Sequence, residues 1–388
     1  MKKRAMLVAN SASMIDHFNR DNILLLQQKG YAITVAANFR EGNSSTDEKI
    51  AEFRKELEEN NIDIIDLPIP RKVTDLKNTK KSIGILKNYL EKNPCSIIHT
   101  QTPFGGVVGR LAAKKYRKQG KCKVIYFAHG FHFFKGAPLK NKIIYYNIEK
   151  YLAKYTDCLI TLNMEDYNLA CRKFKKTTVK YVPGVGIKTD EVHNAYPIEK
   201  NKKKELGLPD DKRIVLNVSE LIPRKNVEST IKAFSRLDRD DCILVICGKG
   251  VLHDSLIKLS QNEGIADKVY MLGYRTDILE IYKLADVFIS TSHQEGLSVA
   301  TMQAMASGLP VVASDIRGNN DLLLGKSKDY LVKTNNIDGF TRKLDELLGN
   351  KKLRNEIGKL NYTNCKKYFD LEKTHNLMSA IYDELEVM

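Results

Sequence analysis

Short apolar runs alternate along the first half of the chain with longer segments in which apolar positions recur at helical spacing. The runs are continuous, which is typical of parallel strands covered on both faces. They predict strands over 5–9, 32–37, 62–68, 96–100, 123–130, 157–163 and 179–184. The segments between them predict helices ending at Gly30 and over 47–60, 76–92, 105–118 and 140–154. This order predicts a parallel sheet flanked by helices.

The alternation begins again after a stretch rich in Lys, Asn and Pro, residues 185–212, which we interpret as a linker. Further strands are predicted over 213–219, 243–250, 268–273, 286–291 and 310–314, with a helix near 226–237. We therefore expect an α/β protein of two doubly wound domains, 1–190 and 205–366, facing each other across a cleft. A charged C-terminal helix is predicted within 367–388. It would fold back on one of the two domains, and the N-terminal domain is the candidate. Ligands of such sheets bind beyond the carboxyl ends of the strands.

Positive charge is concentrated in the first half of the chain. Of the net +16, residues 1–200 carry 35 Lys and Arg against 20 Asp and Glu, whereas residues 201–388 carry 28 against 27. Residues 101–150 contain 11 Lys and Arg against 1 Asp or Glu. Such asymmetry indicates a partner with an anionic surface, either nucleic acid or a membrane, although a merely solubilising surface is the alternative.

Membrane-spanning and secretory segments are not expected. No apolar run approaches the roughly 18 to 20 residues that cross a bilayer. The apolar run at 5–9 is too short for a secretory signal, so we interpret it as the first strand. The seven cysteines form no CxxC pair and have no metal-ligand spacing. They are typical of reduced thiols in a cytosolic protein.

Residues 292–308, SHQEGLSVATMQAMASG, carry the most informative motif. A strand ends just before it, Glu295 and Gly296 follow, and a helix is predicted from near Leu297 until Gly308. Free N–H groups at a helix N-terminus suit a phosphate, and Gly296 lets the backbone approach a ligand closely. A carboxylate beside a phosphate makes sense when the ligand also carries hydroxyl groups, as a nucleotide sugar does. The alternative is an ordinary strand–loop–helix unit.

Other phosphate and metal motifs fail. The loop after the first strand, ANSASM, lacks GxGxxG, which argues against a dinucleotide site. GNNDLLLGKS at 318–327 has Asn320 where a P-loop needs glycine, which argues against ATP hydrolysis. DRDD at 238–241 resembles an acidic metal clamp but lies in a predicted charged turn.

Taken together, the motifs resemble those of retaining glycosyltransferases of family 4, which have the GT-B architecture of two Rossmann-like domains. The resemblance covers nearly the whole chain and is strongest over 213–320. Its hallmark, Glu-x7-Glu before Ala-Met-Ala-x-Gly, corresponds to Glu295 and Gln303. The matching loops are SELIPRKN (219–226), ICGKG (246–250), LGYRTD (272–277) and FAHGFH (127–132). HTQTPFGGVVGR (99–110) and AHGFHFFKGAP (128–138) are similar to the exopolysaccharide and capsule branch.

The resemblance implies roles for individual residues. Lys225 would pair with the donor pyrophosphate, Glu295 would hold the sugar hydroxyls, and His129 would reach the donor sugar. These three form the predicted catalytic set. The predicted donor-binding set is Glu220, Arg224, Gly248, Tyr274, Arg275, Gly296, Leu297, Ser298, Val299 and Gln303.

Two positions depart from the family pattern. Glu220 stands where the family often has arginine, which removes one positive charge from the pyrophosphate, and Arg224 is the candidate replacement. Gln303 stands where the second family glutamate accepts hydrogen bonds from ribose. A glutamine carbonyl still accepts one such bond, at a cost of roughly 1 kcal/mol for the lost charge. We therefore expect an active enzyme with a modified ribose contact, with an inactive paralogue as the alternative.

The implied reaction is transfer of a hexosyl or N-acetylhexosaminyl group, with retention, from a nucleoside-diphosphate sugar, UDP ahead of GDP. The acceptor would be a lipid-diphosphate-linked or other saccharide in cell-surface polysaccharide synthesis. No metal and no cofactor are expected. The enzyme would be cytoplasmic and peripheral, its basic first domain on the anionic inner face of the plasma membrane. Phe131, Phe133, Phe134, Tyr145 and Tyr146, among lysines 135, 140 and 142, would form that membrane surface, with about half of these aromatics in the core as the alternative.

Two alternatives have distinct signatures. A nucleotide-sugar epimerase shares the architecture but has no separate acceptor. A non-catalytic nucleic-acid-binding protein, suggested by the basic half, would bind DNA or RNA in a salt-sensitive manner. No nucleic-acid motif supports the second alternative, so we expect no nucleic-acid partner.

Overall fold

The computed structural model describes residues 3–70, 74–195 and 202–387. These divide into two compact units. The first runs up to Val185 and resumes at Thr374, and the second is Gly186–Lys373.

The first unit is built on a seven-stranded parallel sheet, which confirms the predicted sheet type. Its strands are β1 (Arg4–Val8), β2 (Ala32–Ala37), β3 (Asp63–Asp66), β4 (Ile97–Gln101), β5 (Lys123–Ala128), β6 (Cys158–Thr161) and β7 (Thr178–Tyr181). The spatial order is β3-β2-β1-β4-β5-β6-β7, and Leu7 pairs with both Val35 and His99. The order therefore reverses between β1 and β4, which opens the sheet at their carboxyl ends.

The helices of this unit follow the predicted alternation. They are α1 (Ala12–Phe18), α2 (Arg20–Gln28), α3 (Asp47–Glu59), α4 (Leu76–Lys92), α5 (Pro103–Lys118), α6 (Leu139–Leu152) and α7 (Met164–Lys173). Side chains of Thr46, Asp75 and Asn163 accept N-terminal amide hydrogen bonds of α3, α4 and α7. The helix predicted to end at Gly30 is two helices, because α1 ends at the buried Asn19.

The second unit has a six-stranded parallel sheet in the order β10-β9-β8-β11-β12-β13. Its strands are β8 (Arg213–Val218), β9 (Cys242–Cys247), β10 (Val269–Gly273), β11 (Val287–Ser290), β12 (Val311–Ser314) and β13 (Leu331–Val332). Its order reverses between β8 and β11, which pair through Val215 and Val287. Apolar side chains of β8, β9 and β11 form the core on one face together with Ile231 and Phe340 from the helices.

The helices of the second unit include the one that the carboxylate motif predicts. They are α8 (Thr189–His193), α9 (Lys202–Glu205), α10 (Val227–Ser235), α11 (His253–Asn262), α12 (Ile278–Leu284), α13 (Val299–Ala306), α14 (Arg317–Leu322), α15 (Ile337–Gly349) and α16 (Lys351–Tyr368). The last helix, α17 (Leu371–Val387), belongs to the first unit from Thr374 onward. No helix among the described residues is both long and apolar enough to cross a membrane.

Local differences from the predicted elements have simple causes. The helix expected from Leu297 begins at Val299, because Ser298 has extended backbone angles and caps it. The segment interpreted as a linker contains α8 and α9, while its residues 196–201 lie outside the described ones. Phe131 and Phe133 are 2% and 6% exposed and stack on each other, so the expectation that they form a membrane surface was wrong.

A buried ion pair fixes α6 to α5. Arg110 on α5 donates to both carboxylate oxygens of Glu149 on α6, at 2.7 and 3.1 Å, and both side chains are nearly inaccessible to solvent. The guanidinium also lies 3.9 Å from the ring centroid of Tyr126 on β5. Since a buried charge without its partner is strongly unfavourable, either member alone would destabilise this part of the unit.

We expect Arg110→Met to lower the free energy of unfolding by about 3–5 kcal/mol, because Glu149 would stay buried and unpaired. The double substitution Arg110→Met, Glu149→Leu should recover part of that loss. Lys115→Met, on the same helix, removes an exposed pair with Glu91 at 3.9 Å and should change stability by less than about 1 kcal/mol. Urea unfolding of the three variants measures this, and equal losses for Arg110 and Lys115 would contradict it.

Candidate active site

The loops that follow β8 and β11 meet where the order of the second sheet reverses. The main-chain N–H of His293 donates to the carbonyl oxygen of Arg224 at 2.9 Å. Asn226 donates through its side chain to the carbonyl of Thr291 at 3.1 Å, and the Thr291 hydroxyl returns a bond to the carbonyl of Asn226 at 2.7 Å. Asn226 has a left-handed backbone, with φ of 50°, which asparagine tolerates better than most residues. The two loops are therefore held as one rigid edge.

Glu295 lies at the centre of this edge and is only 6% exposed. Its Oε1 accepts hydrogen bonds from Lys225 Nζ at 2.6 Å and Ser292 Oγ at 2.7 Å. Its Oε2 lies 3.4 Å from a guanidinium nitrogen of Arg224, and Arg317 Nε donates to the main-chain carbonyl of Glu295 at 3.2 Å. Buried carboxylates persist when they are paired and hydrogen-bonded, and this arrangement meets both conditions. The structure thus brings together three of the predicted site residues, Glu295, Lys225 and Arg224.

The N-terminus of α13 follows at once. Ser298 caps the helix, its hydroxyl accepting from the N–H of Thr301 at 3.3 Å. The N–H groups of Ser298 and Val299 donate to no atom within the described residues. A Cβ on Gly318 would lie 2.6 Å from the carbonyl oxygen of Gly296, so α14 packs directly beneath this turn. A fixed helix mouth with free amides is a suitable anion site.

Gln303 lies one turn further along α13, four residues after Val299 and on the same side of the helix. Its side chain is half-buried, and the amide has no hydrogen-bond partner among the residues that the structure describes. An amide in this position is available for a ligand.

The loop after β9 approaches the loop after β8 too closely for any side chain. A Cβ on Gly248 would lie 1.8 Å from the carbonyl oxygen of Ser219. The N–H of Gly248 donates to the carbonyl of Gly273 at 2.7 Å, which ties in the loop after β10. Tyr274 follows, 62% exposed, with Lys249 Nζ 5.3 Å from its ring centroid. The predicted donor-binding residues Gly248 and Tyr274 therefore lie on neighbouring loops beyond the sheet.

Two predicted donor-binding residues, Arg275 and Glu220, already lie beside an oppositely charged side chain of the same unit. Arg275 forms a bidentate pair with Asp277, at 2.8 and 2.6 Å, and Asp277 also contacts Lys202 at 2.7 Å. The hydrogen bonds from Arg275 hold the pKa of the Asp277 carboxyl well below its usual range. Arg275 is thus already paired with a carboxylate. Glu220 is largely exposed and lies 3.7 Å from Arg224, so its charge partly offsets that of the arginine.

In the first unit, His129 follows β5, the neighbour of β4. Its Nε2 is hydrogen-bonded to Oε1 of Gln101 at the end of β4, and its ring stacks on Phe127 at 5.1 Å. Burial lowers the pKa of His129 to about 4. Burial, and then the neighbouring His129, lowers the pKa of His99 to about 3. Both imidazoles are therefore neutral at physiological pH.

The turn after β4 is strained. Thr102 has φ of 63° and ψ of 157°, a region otherwise confined to glycine, and its hydroxyl accepts from the N–H of Gly105 at 3.3 Å. A Cβ on Gly105 would lie 2.9 Å from Cα of Ala9 in the loop after β1. Strained backbone of this kind concentrates at functional sites. It marks the carboxyl ends of β1 and β4 as the candidate functional edge of this unit.

Several residues of these edges were not predicted from the sequence. Asn226 is adjacent to the predicted Lys225 but eight residues after the end of β8. Thr291 and Ser292 follow β11 directly, and a polar side chain directly after a buried strand was the available signal. Gln101 has the same signal at the end of β4. Arg317 lies 22 residues after the glutamate whose carbonyl it contacts, and no local pattern announces it.

Acidic residues do not gather into a metal site. Across 3–70, 74–195 and 202–387, no group of three or more His, Cys, Asp or Glu side chains is placed to hold a metal ion. In DRDD, Asp241 pairs with Arg239 and Arg213, and Asp240 contacts Lys268. The acidic stretch is a network of surface ion pairs.

Comparison with known proteins agrees with this architecture. Residues 198–363 match the family described as glycosyl transferases group 1, and residues 6–163 match the glycosyl transferase 4-like family. The putative glycosyltransferase EpsD of Bacillus subtilis is 31% identical over 363 residues, which cover 92% of this chain and 91% of that protein. An Escherichia coli UDP-Gal:alpha-D-GlcNAc-diphosphoundecaprenol alpha-1,3-galactosyltransferase is 30% identical over 73% of this chain and 74% of its own.

The crystal structure of Anabaena Alr3699/HepE in complex with UDP has the same fold. It covers 99% of this chain and 100% of its own, with a TM-score of 0.75 and 16% identity. The fold is thus that of the GT-B glycosyltransferases, as predicted. The chain belongs to glycosyltransferase family 4. It is therefore a hexosyltransferase, and neither the epimerase nor the non-catalytic alternative is retained.

We expect the stability of the first unit to fall as the pH drops from about 6.5 toward 4. His99 and His129 have pKa values of about 3 and about 4 when folded, against 6.5 for a free histidine. Below pH 6.5 the unfolded chain therefore binds protons that the folded unit excludes. The loss is up to about 1.4 kcal/mol per pH unit for each histidine. Above pH 6.5 both states are neutral and the effect disappears.

Urea unfolding followed by near-ultraviolet circular dichroism between pH 7 and 5 measures this slope. His99→Gln should reduce it, whereas His253→Gln, at an exposed position, should leave it unchanged. An equal slope in wild type and His99→Gln would contradict the prediction.

Proposed function

We propose that this enzyme transfers a hexosyl or N-acetylhexosaminyl group, with retention, from a UDP-sugar to a lipid-diphosphate-linked saccharide during cell-surface polysaccharide synthesis. The observation that carries the proposal is the buried Glu295, held by Lys225 and Ser292 directly before the free amides of α13. A diphosphate needs the amides and the lysine, and a sugar needs the carboxylate.

The names of related proteins support the choice of donor and acceptor. The E. coli relative takes galactose from UDP and acts on a diphosphoundecaprenol-linked saccharide, according to its name. The Anabaena structure contains UDP. We therefore favour uridine over guanosine as the base of the donor. We also favour a lipid-diphosphate-linked saccharide over a free sugar as the acceptor.

Transition-state stabilisation in this proposal comes from fixed positive charge. Negative charge develops on the diphosphate as the bond to the sugar breaks, and preorganised donors at that point lower the barrier. Lys225 and the N–H groups of Ser298 and Val299 are such donors. Glu295 would orient the sugar by its hydroxyl groups, and the resemblance implies a contact between His129 and the same sugar.

The pair between Lys225 and Glu295 has a consequence for donor binding. At 2.6 Å the ammonium is committed to the carboxylate before any ligand arrives. A diphosphate would share or take that ammonium, while Arg224, 3.4 Å from the other carboxylate oxygen, continues to neutralise Glu295. Donor binding would then free one oxygen of Glu295 to accept a sugar hydroxyl.

Retention would follow from attack on the same face as the departing diphosphate, which would take the proton of the acceptor hydroxyl. This course needs no separate base. It is proposed without a metal ion, because Lys225 and the helix mouth supply the positive charge.

The first unit would receive the acceptor at a membrane surface. Leu139 and Ile143, one turn apart on α6, are 73% and 56% exposed, and lysines 135, 140 and 142 surround them with exposed side chains. Exposed apolar side chains among lysines suit an anionic lipid boundary. The ion pair between Glu149 on α6 and Arg110 on α5 holds this helix against the rest of the unit. We accordingly place the enzyme in the cytoplasm, peripheral to the inner face of the plasma membrane.

We expect UDP to raise the thermal stability of the protein more than GDP, ADP or CMP does. At about 100 times its dissociation constant, UDP should add roughly 2.7 kcal/mol to the free energy of unfolding. Lys225→Met should abolish most of that gain, because the diphosphate loses its cation. The gain should persist in excess EDTA.

Each variant is compared with its own ligand-free state, because Lys225→Met also removes a partner of the buried Glu295. Lys258→Met, an exposed lysine on α11, is the control and should respond to UDP like wild type. No gain with any nucleotide would refute the assigned donor site.

We expect Leu139→Ser with Ile143→Ser, and separately the change of lysines 135, 140 and 142 to glutamine, to weaken binding to vesicles of anionic lipid. Removing three positive charges at the surface should cost about 3 kcal/mol of binding free energy. Changing Lys258, Lys351 and Lys352 to glutamine removes the same charge from the second unit and should have little effect. Vesicle sedimentation measures this, and equal binding of all variants would contradict the membrane surface.

A further inference from the structure

Five buried polar side chains form a closed ring of hydrogen bonds beneath His129. They come from three separate parts of the first unit, and none is more than 5% exposed. The members are Asn19, Asn22, His99, Gln101 and Tyr382. Tyr382, on α17, lies 283 residues after its partner His99. Buried polar networks with every member satisfied are rigid and specify a single arrangement.

A main-chain carbonyl sets the direction of every bond in the ring. The carbonyl oxygen of Met14 only accepts, so the side-chain nitrogen of Asn19, 3.2 Å away, must point to it. Oδ1 of Asn19 is thereby turned into the ring. It accepts from Nε2 of Gln101 at 2.6 Å and from Nδ2 of Asn22 at 3.1 Å.

The hydrogen bonds through His99 and Tyr382 are directed in the same way. The Gln101 amide nitrogen also lies 3.0 Å from Nε2 of His99, which must therefore carry a lone pair. The proton of His99 is then on Nδ1, which donates to the Tyr382 hydroxyl at 2.9 Å. Tyr382 in turn donates to Oδ1 of Asn22 at 3.1 Å. Turning over the Gln101 amide would place two oxygen acceptors 2.6 Å apart, so the ring admits one direction.

We propose that this ring, through Gln101, fixes His129 in the neutral tautomer that carries its proton on Nε2. The amide nitrogen of Gln101 makes both of this residue's hydrogen bonds within the ring. The amide oxygen makes none of them, and it faces Nε2 of His129. Since this oxygen accepts and never donates, Nε2 of His129 must be the donor, and Nδ1 keeps its lone pair. Phe127 and Phe18 flank the imidazole and hold its plane.

Asn19 and Gln101 are thus positioning residues that act through His129. If His129 contacts the transferred sugar, a statement that rests on the proposed function, its Nδ1 would be presented as a hydrogen-bond acceptor for a sugar hydroxyl. Its charge state would remain neutral, because His99 is the other titratable group facing Gln101 and is itself neutral.

The test reads the tautomer directly and does not depend on activity. Long-range ¹H–¹⁵N correlation spectra of protein labelled with ¹⁵N-histidine distinguish the two tautomers of each imidazole, and loss of signals in His129→Gln assigns His129. We expect the Nε2–H tautomer in the ligand-free wild type. The Nδ1–H tautomer at His129 would overturn the proposal.

Asn19→Leu tests transmission through the ring. Without Oδ1 of Asn19, the Gln101 amide can turn over without bringing two oxygen acceptors together. His99 can then take the opposite tautomer, with Nε2–H donating to Gln101 and Nδ1 accepting from Tyr382. The ratio of Nδ1–H to Nε2–H at His129 should rise by about tenfold, as expected for one lost hydrogen bond. Tyr31→Phe is the matched control, because Tyr31 donates from the same unit to Glu386 of α17 without touching the ring. An equal response in both variants would overturn the proposal.

Gln101→Met is a second variant, which removes the acceptor that faces Nε2 of His129. The ratio of Nδ1–H to Nε2–H at His129 should rise in this variant as well. An unchanged ratio would refute the assigned contact. With the proposed donor, kcat/KM should fall in Asn19→Leu and not in Tyr31→Phe. The expected tautomers in a wild-type protein that does not bind UDP would instead count against the proposed function alone.

Discussion

A carboxylate that is shielded from water must be paired, and the second unit is organised around this requirement at Glu295. Lys225 and Arg224 come from the loop after β8, Ser292 from the loop after β11, and Arg317 from α14. The contacts from Lys225 and Arg224 require the two neighbouring strands to end at the same level, which the parallel register between β8 and β11 ensures. The energetic demand of one buried charge therefore fixes the geometry of the helix mouth beside it.

The first unit meets an analogous demand without charge. His99 is buried and His129 is half-buried, both as neutral rings, and their protons are directed by amides and a tyrosine hydroxyl. Both candidate edges lie at or beside the point where the sheet reverses its strand order, and both are held by hydrogen bonds before any ligand binds. Preorganisation of this kind matters for group transfer, because donors that need not reorient stabilise developing charge most effectively.

Much of this was accessible from the sequence, because buried parallel strands leave continuous apolar runs. The strands of both sheets up to β12 and the helix after Glu295 were predicted from such runs and from glycine punctuation. The exact start of α13 depended on the backbone angles of Ser298, and the break between α1 and α2 depended on the buried Asn19. Long-range partners were not predictable: Arg317 and Tyr382 act on residues far away in sequence, and only tertiary structure brings them there. The burial of Phe131 and Phe133 could not be predicted, because the lysines and aromatic residues of this segment show no periodicity that distinguishes core positions from surface positions.

The return of α17 to the first unit also has a consequence for biosynthesis. The second unit is continuous from Gly186 to Lys373, so its residues are all available once that stretch has left the ribosome. The first unit is synthesised earlier, yet Asn22 and His99 wait for Tyr382 before their polar atoms are satisfied. The nascent N-terminal unit would consequently remain incomplete while the whole of the second unit is translated.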